Sequence, residues 1–231
     1  MNALLRVHHR AWLLAALLLP AAVLSGQTVS ARAVIAAPRS SVSVGGVMDR
    51  VDGLWGGMAL GFRAGRFSLS GSGTRGQLTS GASGTTLKRD VGELALEGAY
   101  EFRPWLRFEL RYAARAFSSA AGSQRWDMLS VGATASRDLG TRAVRAFAGL
   151  AYLPVVKVSG QQRPTFALGS DVGIALVPTH FPIALRLDYR IERFKFPTAS
   201  RRSEQFEAFT LSMGSALQRV GGRWKLGAPG E

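Results

Sequence analysis

The sequence predicts an all-β protein: a closed antiparallel β-barrel of about ten strands, with eight as the alternative count. Three observations carry this. Segments that alternate apolar and polar residues recur from residue 41 to 218, and a period of 2 is the strand period. Turn-forming residues separate them, drawn from 27 glycines and 9 prolines. Beyond residue 26 no stretch shows a helical period or an apolar run long enough to cross a bilayer as a helix.

The first 26 residues are unlike the rest. "MNALLRVHHR" carries Arg6 and Arg10 and no acid, and Ala11 to Leu24 is an unbroken apolar run of 14 residues. A spanning helix needs about 20. A basic start, a short apolar core and small residues after it read as a cleaved secretory signal peptide over 1–26. Residues 27–40 read as an N-terminal linker, 41–218 as the barrel and 219–231 as a C-terminal tail.

Strands are expected near 41–48, 54–63, 66–77, 90–103, 105–117, 125–137, 142–154, 165–177, 182–196 and 205–218. "RAGR" (63–66), "RPW" (103–105), "RDLGT" (137–141) and "PTHFP" (178–182) are tight turns. The connections 79–89, 117–125, 155–164 and 197–204 are longer and rich in Ser, Gly, Thr, Arg and Gln. Four hairpins plus a first and a last strand make ten.

The chain contains no cysteine, which excludes disulfides, thiolate metal sites and a lipid-modified N-terminal cysteine. Its formal net charge is +14. The cations are mostly Arg and are dispersed through alternating segments, with no basic run and no basic helix face. Nucleic acid is therefore not an expected partner.

Periodicity does not say which face is inside. In "LALEGAYEFRPWLRFELRYAAR" (94–115) one row is Leu, Tyr and Phe and the other is Glu and Arg. Four features favour a transmembrane barrel with the apolar row outward. Aromatics (Phe62, Phe67, Phe102, Trp105, Phe181) cluster at the tight turns, where an interfacial girdle sits. Strands near 12 residues suit a tilted crossing. The charged rows complement one another: Glu93, Glu97, Glu101, Arg107, Glu109, Arg111, Arg115, Arg145, Asp171, Arg186, Asp188, Arg190 and Glu192 are the expected lumen network. Small residues opposite them leave room for crossing Arg side chains. A secreted soluble barrel of the lipocalin kind, with its charged face in water, is the alternative.

The signal-like start, the missing cysteine, the hairpin "EFRPWLRFELRYAAR" (101–115) and "PIALRLDYRIERF" (182–194) resemble the small bacterial outer-membrane β-barrels of the OmpA/OmpX type. The resemblance covers roughly residues 40–218. It implies export to the outer membrane, contact with outer-membrane lipid and passage through the barrel-insertion machinery. One departure stands out. Such barrels usually end on an aromatic residue, whereas the last strand here, "FEAFTLSMGSAL" (206–217), is followed by a tail.

Motifs for chemistry are sparse. "GSGTRG" (71–76) matches G-x-G-x-x-G, but no helical pattern follows it, so it reads as a strand end. Downstream of the signal the only histidine is His180, in a turn. Glu97, Glu101 and Glu109 lie among arginines that hold them ionised. No enzyme activity, cofactor or metal is expected. Lys88, Arg89, Arg125, Lys157, Arg163, Lys195, Arg201 and Arg202 fall on the long-loop side, placed to meet lipopolysaccharide phosphates. The expected role is structural, or limited passive transport through a lumen mostly plugged by salt bridges. Adhesion through loops 79–89, 117–125 and 197–204 is the alternative. On this reading, replacing Arg111 and Arg190 by Ala should open a small pore.

Overall fold

The computed structural model describes residues 27–80, 88–119, 122–178, 181–220 and 223–227. The expected signal peptide, His180 and residues 228–231 lie outside the described residues. Eleven strands follow in chain order: β1 (Gln27–Val44), β2 (Val47–Ala64), β3 (Phe67–Ser80), β4 (Lys88–Arg103), β5 (Leu106–Ser119), β6 (Gly122–Leu139), β7 (Thr141–Val158), β8 (Phe166–Leu176), β9 (Ala184–Lys195), β10 (Arg202–Val220) and β11 (Arg223–Gly227). Each pairs antiparallel with its neighbours, and β1 also pairs with β10 from Thr28↔Gln218 to Val44↔Arg202. That last pairing closes ten strands into a barrel.

Closure fixes the shape. From Gln27 the pairing passes through Ala64, Phe67, Tyr100, Phe108, Ala133, Leu150, Ser170, Ile191 and Glu207, and returns to β1 at Arg39. A stagger of ~12 residues over ten strands, at ~3.3 Å rise and ~4.8 Å spacing, tilts the strands by about 40°. The barrel has a turn side, where β1 begins at Gln27 and β10 ends at Val220, with the strand ends that flank 65–66, 104–105 and 140 and those of β8 and β9. Its loop side carries 45–46, 81–87, 120–121, 159–165 and 196–201.

Alternation sorts the side chains. Leu54, Met58 and Leu60 of β2, Leu94 and Leu96 of β4, Phe108, Leu110 and Tyr112 of β5, Val172 and Ile174 of β8, and Phe209, Leu211 and Met213 of β10 are exposed on the outer wall. They form a continuous apolar belt roughly 20–25 Å tall at ~2.5 Å of axial rise per tilted residue. Phe67, Phe102, Trp105 and Phe108 edge it on the turn side. On the loop side it ends at Tyr112 and Tyr189, whose hydroxyls donate to Asp127 (2.8 Å) and Glu207 (2.7 Å).

Three sequence expectations are corrected. The first strand is not 41–48 and 27–40 is not a linker: β1 covers Gln27–Val44, and 41–48 straddles a turn at Gly45 and Gly46. Both glycines have positive φ (59° and 91°), the conformation that a two-residue hairpin turn matching the strand twist requires. The outward row of 27–40 holds Ala31, Ala33 and Ala37 beside Val29 and Ile35, a weak alternation against Val34 and Ala36 on the other face, and Pro38 argues against a strand. The fold accommodates Pro38 by interrupting the β1–β2 ladder between Ala36↔Trp55 and Arg39↔Asp52, while the β1–β10 ladder continues past it.

The second correction is the segment 117–125, expected as a long loop. β5 runs to Ser119 and β6 begins at Gly122, so the hairpin extends the wall. The third is the tail. β11 lies along β10 at Ala216–Val220, on the edge that β9 leaves free beyond Gly214. The glycine motif at 71–76 is strand interior in β3.

Deleting residues 27–40 should prevent closure, since it removes most of both ladders that β1 makes. The truncated chain should lose the cooperative urea transition of the full barrel. A transition of unchanged steepness and midpoint would show that this part of β1 is dispensable.

Candidate functional site

The lumen is divided into three layers, each set by which residue types occupy the inward parity of the strands. From the turn side a polar cup of about 360 Å³ enters the barrel. Thr28, Ser30, Ser68, Ser70, Ser72 and Thr210 give β1, β3 and β10 a hydroxyl wall; Glu97, Glu101, Arg107, Glu109, Asp171, Arg186 and Asp188 give β4, β5, β8 and β9 a charged one.

The floor of the cup is an ion-pair cluster. Arg115 is 2% exposed and donates to Glu93 (2.5 Å) and to Glu192 on the far wall (2.8 Å). Arg111 donates to Glu93 (2.6 Å) and lies 3.6 Å from Glu192. Arg190 reaches Glu93 (3.2 Å) and Glu192 (3.7 Å). Three guanidiniums thus share two buried carboxylates, and the Arg115 guanidinium also lies 3.6 Å from the centre of the Phe206 ring.

Above the floor, toward the loop side, the inward row becomes apolar. Trp55, Leu78, Val91, Trp126, Val156, Val158, Phe194, Phe196 and Phe206 are buried together in one core. Trp126 packs on Phe194 (centroids 4.9 Å) and Trp55 on Phe206 (5.5 Å). A bulge helps build this layer. The β6–β7 register shifts between Leu129↔Val155 and Val131↔Tyr152, beside Pro154, so that Leu153, Val156 and Val158 all point inward. This corrects the expectation of a lumen plugged mostly by salt bridges. The plug is aromatic and aliphatic, and the ion pairs lie beneath it.

The charged residues named from sequence separate into groups. Glu93, Arg111, Arg115, Arg190 and Glu192 form the cluster. Arg115 pairs with Glu93, directly opposite it in the β4–β5 ladder, whereas Arg111 faces Glu97 there and reaches past it to Glu93. Arg107 pairs with Glu109 on its own strand (2.6 Å), and Thr134 also donates to Glu109 (2.9 Å). Arg186 pairs with Asp188 (3.3 Å) and lies 4.0 Å from the Phe147 ring centre. Glu101 pairs with Arg63, a lumen residue that the charged-row pattern did not pick out. Asp171 and Glu97 line the cup. Arg145 pairs with Asp138 (2.8 Å) on the turn side, apart from the cluster.

The loop-side cations divide by parity. Lys88, Arg125, Lys157 and Lys195 are exposed on the outer wall, and Arg163 and Arg201 are exposed in the connections. Arg89 and Arg202 are corrected, because both occupy inward positions and line the barrel mouth. Outward cations missed from sequence are Arg39, Arg50, Arg75 and Arg193, which lie inside strands and not in loops. At the mouth a shallow bowl of about 520 Å³ opens above the plug. There Arg202 Nε donates to Glu204 (2.7 Å); burial pushes the Glu204 carboxyl up while Arg202 draws it back. Among the described residues no group of three or more His, Cys, Asp or Glu is arranged to hold a metal.

No family model and no curated protein matches this sequence. Solved structures do. The outer membrane protease OmpT from Escherichia coli aligns with a TM-score of 0.51 at 11% identity, over 84% of this chain and 97% of that one. The translocator domain of the autotransporter NalP from Neisseria meningitidis aligns at 0.46 and 12%, over 93% and 95%. An outer membrane channel from Pseudomonas putida F1 aligns at 0.44 and 11%, over 84% and 97%. The likeness to OmpT is one of fold: a closed antiparallel barrel of the kind found in outer membranes.

Arg115→Ala should leave Glu93 and Glu192 short of a buried counter-charge and destabilise the barrel by about 3–5 kcal/mol. Arg111→Ala should have a smaller effect, since Arg115 and Arg190 still reach both carboxylates. Urea titration of the refolded protein measures the two, and equal losses would contradict a central role for Arg115.

Proposed function

We propose that the protein is an exported outer-membrane β-barrel with a structural, non-enzymatic role in the envelope and a lumen closed to solutes. One observation carries this: the outer wall is apolar around the whole barrel, while polar groups and ion pairs are inside. A soluble barrel of the lipocalin kind needs the reverse. The fold shared with OmpT supports the reading, and the resemblance of hairpin 101–115 and of the penultimate-strand segment 182–194 to OmpA/OmpX-type barrels belongs to it. Gel mobility of unheated against boiled detergent samples tests it, because a membrane barrel that resists detergent migrates differently until boiled. Recovery as a soluble periplasmic protein would overturn it.

The lipid face has a quantitative test. Leu110 is 52% exposed and lies near mid-height of the belt. Leu110→Arg should destabilise the protein in lipid vesicles by about 2–4 kcal/mol. Ser72→Arg, at a similar height but facing the cup, should lose less than half as much. The opposite order would invert the inside–outside assignment.

Closure of the lumen has its own test. Planar bilayers should show no steady conductance. Replacing Arg111 and Arg190 by Ala should leave that unchanged, because the apolar layer above them remains. Cutting Trp126, Phe194 and Phe206 to Ala together should produce openings. Steady openings in the unmodified protein would favour a transport role.

A further inference from the structure

The cup, the ion-pair cluster and the plug are accounted for by the barrel reading; the bowl at the loop-side mouth is not. Most of its wall is strand extension that rises above the apolar belt, and Ser159, Gly160 and Gln161 come from the connection after β7. Phe117 packs on the plug and forms part of the bowl floor. Val44 and Val47, at 49% and 75% exposure, are uncovered apolar side chains on its rim. A concave surface of several hundred Å³ with an apolar floor and a few convergent polar groups is the usual form of a small-molecule site.

The polar groups are specific. Arg89 enters from β4 and Arg202 from β10, and Gln124 comes from β6. Arg89 has one long contact to Asp49, at 3.4 Å, so most of its five donors remain available. Arg202 spends Nε and one terminal nitrogen on Glu204, which is 9% exposed; its guanidinium lies 5.0 Å from the Phe196 ring centre and lines the bowl. A molecule entering the mouth therefore meets two guanidiniums above apolar surface, one of them beside the half-exposed Asp49 carboxylate, while Glu204 is covered.

We propose that this bowl is a binding site for a small amphipathic anion. Its apolar part rests on Phe117, Val44 and Val47, and its carboxylate or sulfonate is held between Arg89 and Arg202. At ~30 Å³ per water-sized group the space suits on the order of 17 non-hydrogen atoms. The ligand comes from the solution that meets the open mouth, and the β1–β10 seam offers it no side entry. The β1–β10 ladder stays paired to Val44↔Arg202, and Gly45 N–H donates to the Arg201 carbonyl (3.1 Å), so no lateral gap admits a lipid chain there. The inference goes beyond the structural role and does not depend on the conductance result.

Isothermal titration of octanoate into the full barrel in zwitterionic lipid nanodiscs tests it, with empty discs subtracting partition into lipid. Saturable one-site binding is expected, with octanol and octylammonium at least 10-fold weaker. Arg89→Ala should weaken octanoate about 10-fold or more and leave octanol unchanged. Gln124→Trp, which fills the bowl without breaking an ion pair, should abolish binding and provides the readout if Arg89→Ala does not fold. Heats that match empty discs, octylammonium binding as tight as octanoate, or octanoate affinity unchanged in Gln124→Trp would each overturn the proposal.

Discussion

The structure depends on keeping Arg115 paired while it is buried. A guanidinium removed from water is strongly unfavourable unless its donors are taken up by charged acceptors with good geometry. Arg115 meets that condition only because Glu93 comes from the adjacent strand and Glu192 from a strand across the lumen. The contact is possible only when the barrel is closed and in register. A slip of one residue in β4 or β9 would turn Glu93 or Glu192 to the outer wall and leave the arginine without its partners. The cluster thus makes register a matter of several kcal/mol and joins opposite walls that no backbone ladder connects.

The layers above and below the cluster follow from it. The aromatic plug keeps water from the loop side, which strengthens the ion pairs by lowering the local dielectric. The cup beneath supplies the less buried partners, Arg111 and Arg190, which share the same carboxylates from the wetter side. A fully apolar lumen would need no such cluster, and a fully polar one would admit water through the barrel. The boundary between the two lies where Phe206 stacks on Arg115, a contact that is apolar on one side of the ring and electrostatic on the other.

This arrangement separates the two ends functionally. The turn-side cup is polar and stops at the ion pairs. The loop-side bowl is amphipathic and stops at the plug. Between them the outer wall is uniform enough to sit in lipid, with tyrosines hydrogen-bonded to carboxylates at its loop-side edge. A barrel that does not conduct can still present a shaped surface at each end, and the loop-side end has the more specific one.

Fold class, antiparallel order, ten-strand closure and the charged row from Glu93 to Glu192 were legible in the sequence, because a period of 2 and turn residues are local properties. The first strand was not. Its alternation is weak and is broken by Pro38, and Gly45–Gly46 looked like strand interior until their positive φ values made them a turn. Parity fixes which residues share a face, yet it does not say how far the charged row extends or what occupies its upper half. The plug was hidden because Trp55, Trp126, Phe194 and Phe206 lie far apart in the chain and meet only when the strands close at a stagger of ~12 residues. The ion-pair partners were hidden for the same reason. The charged row was named without its pairings: Arg115 meets Glu93 directly across the ladder, Arg111 reaches past Glu97 to the same carboxylate, and only the closed barrel decided that Arg111, Arg115 and Arg190 would converge on Glu93 and Glu192.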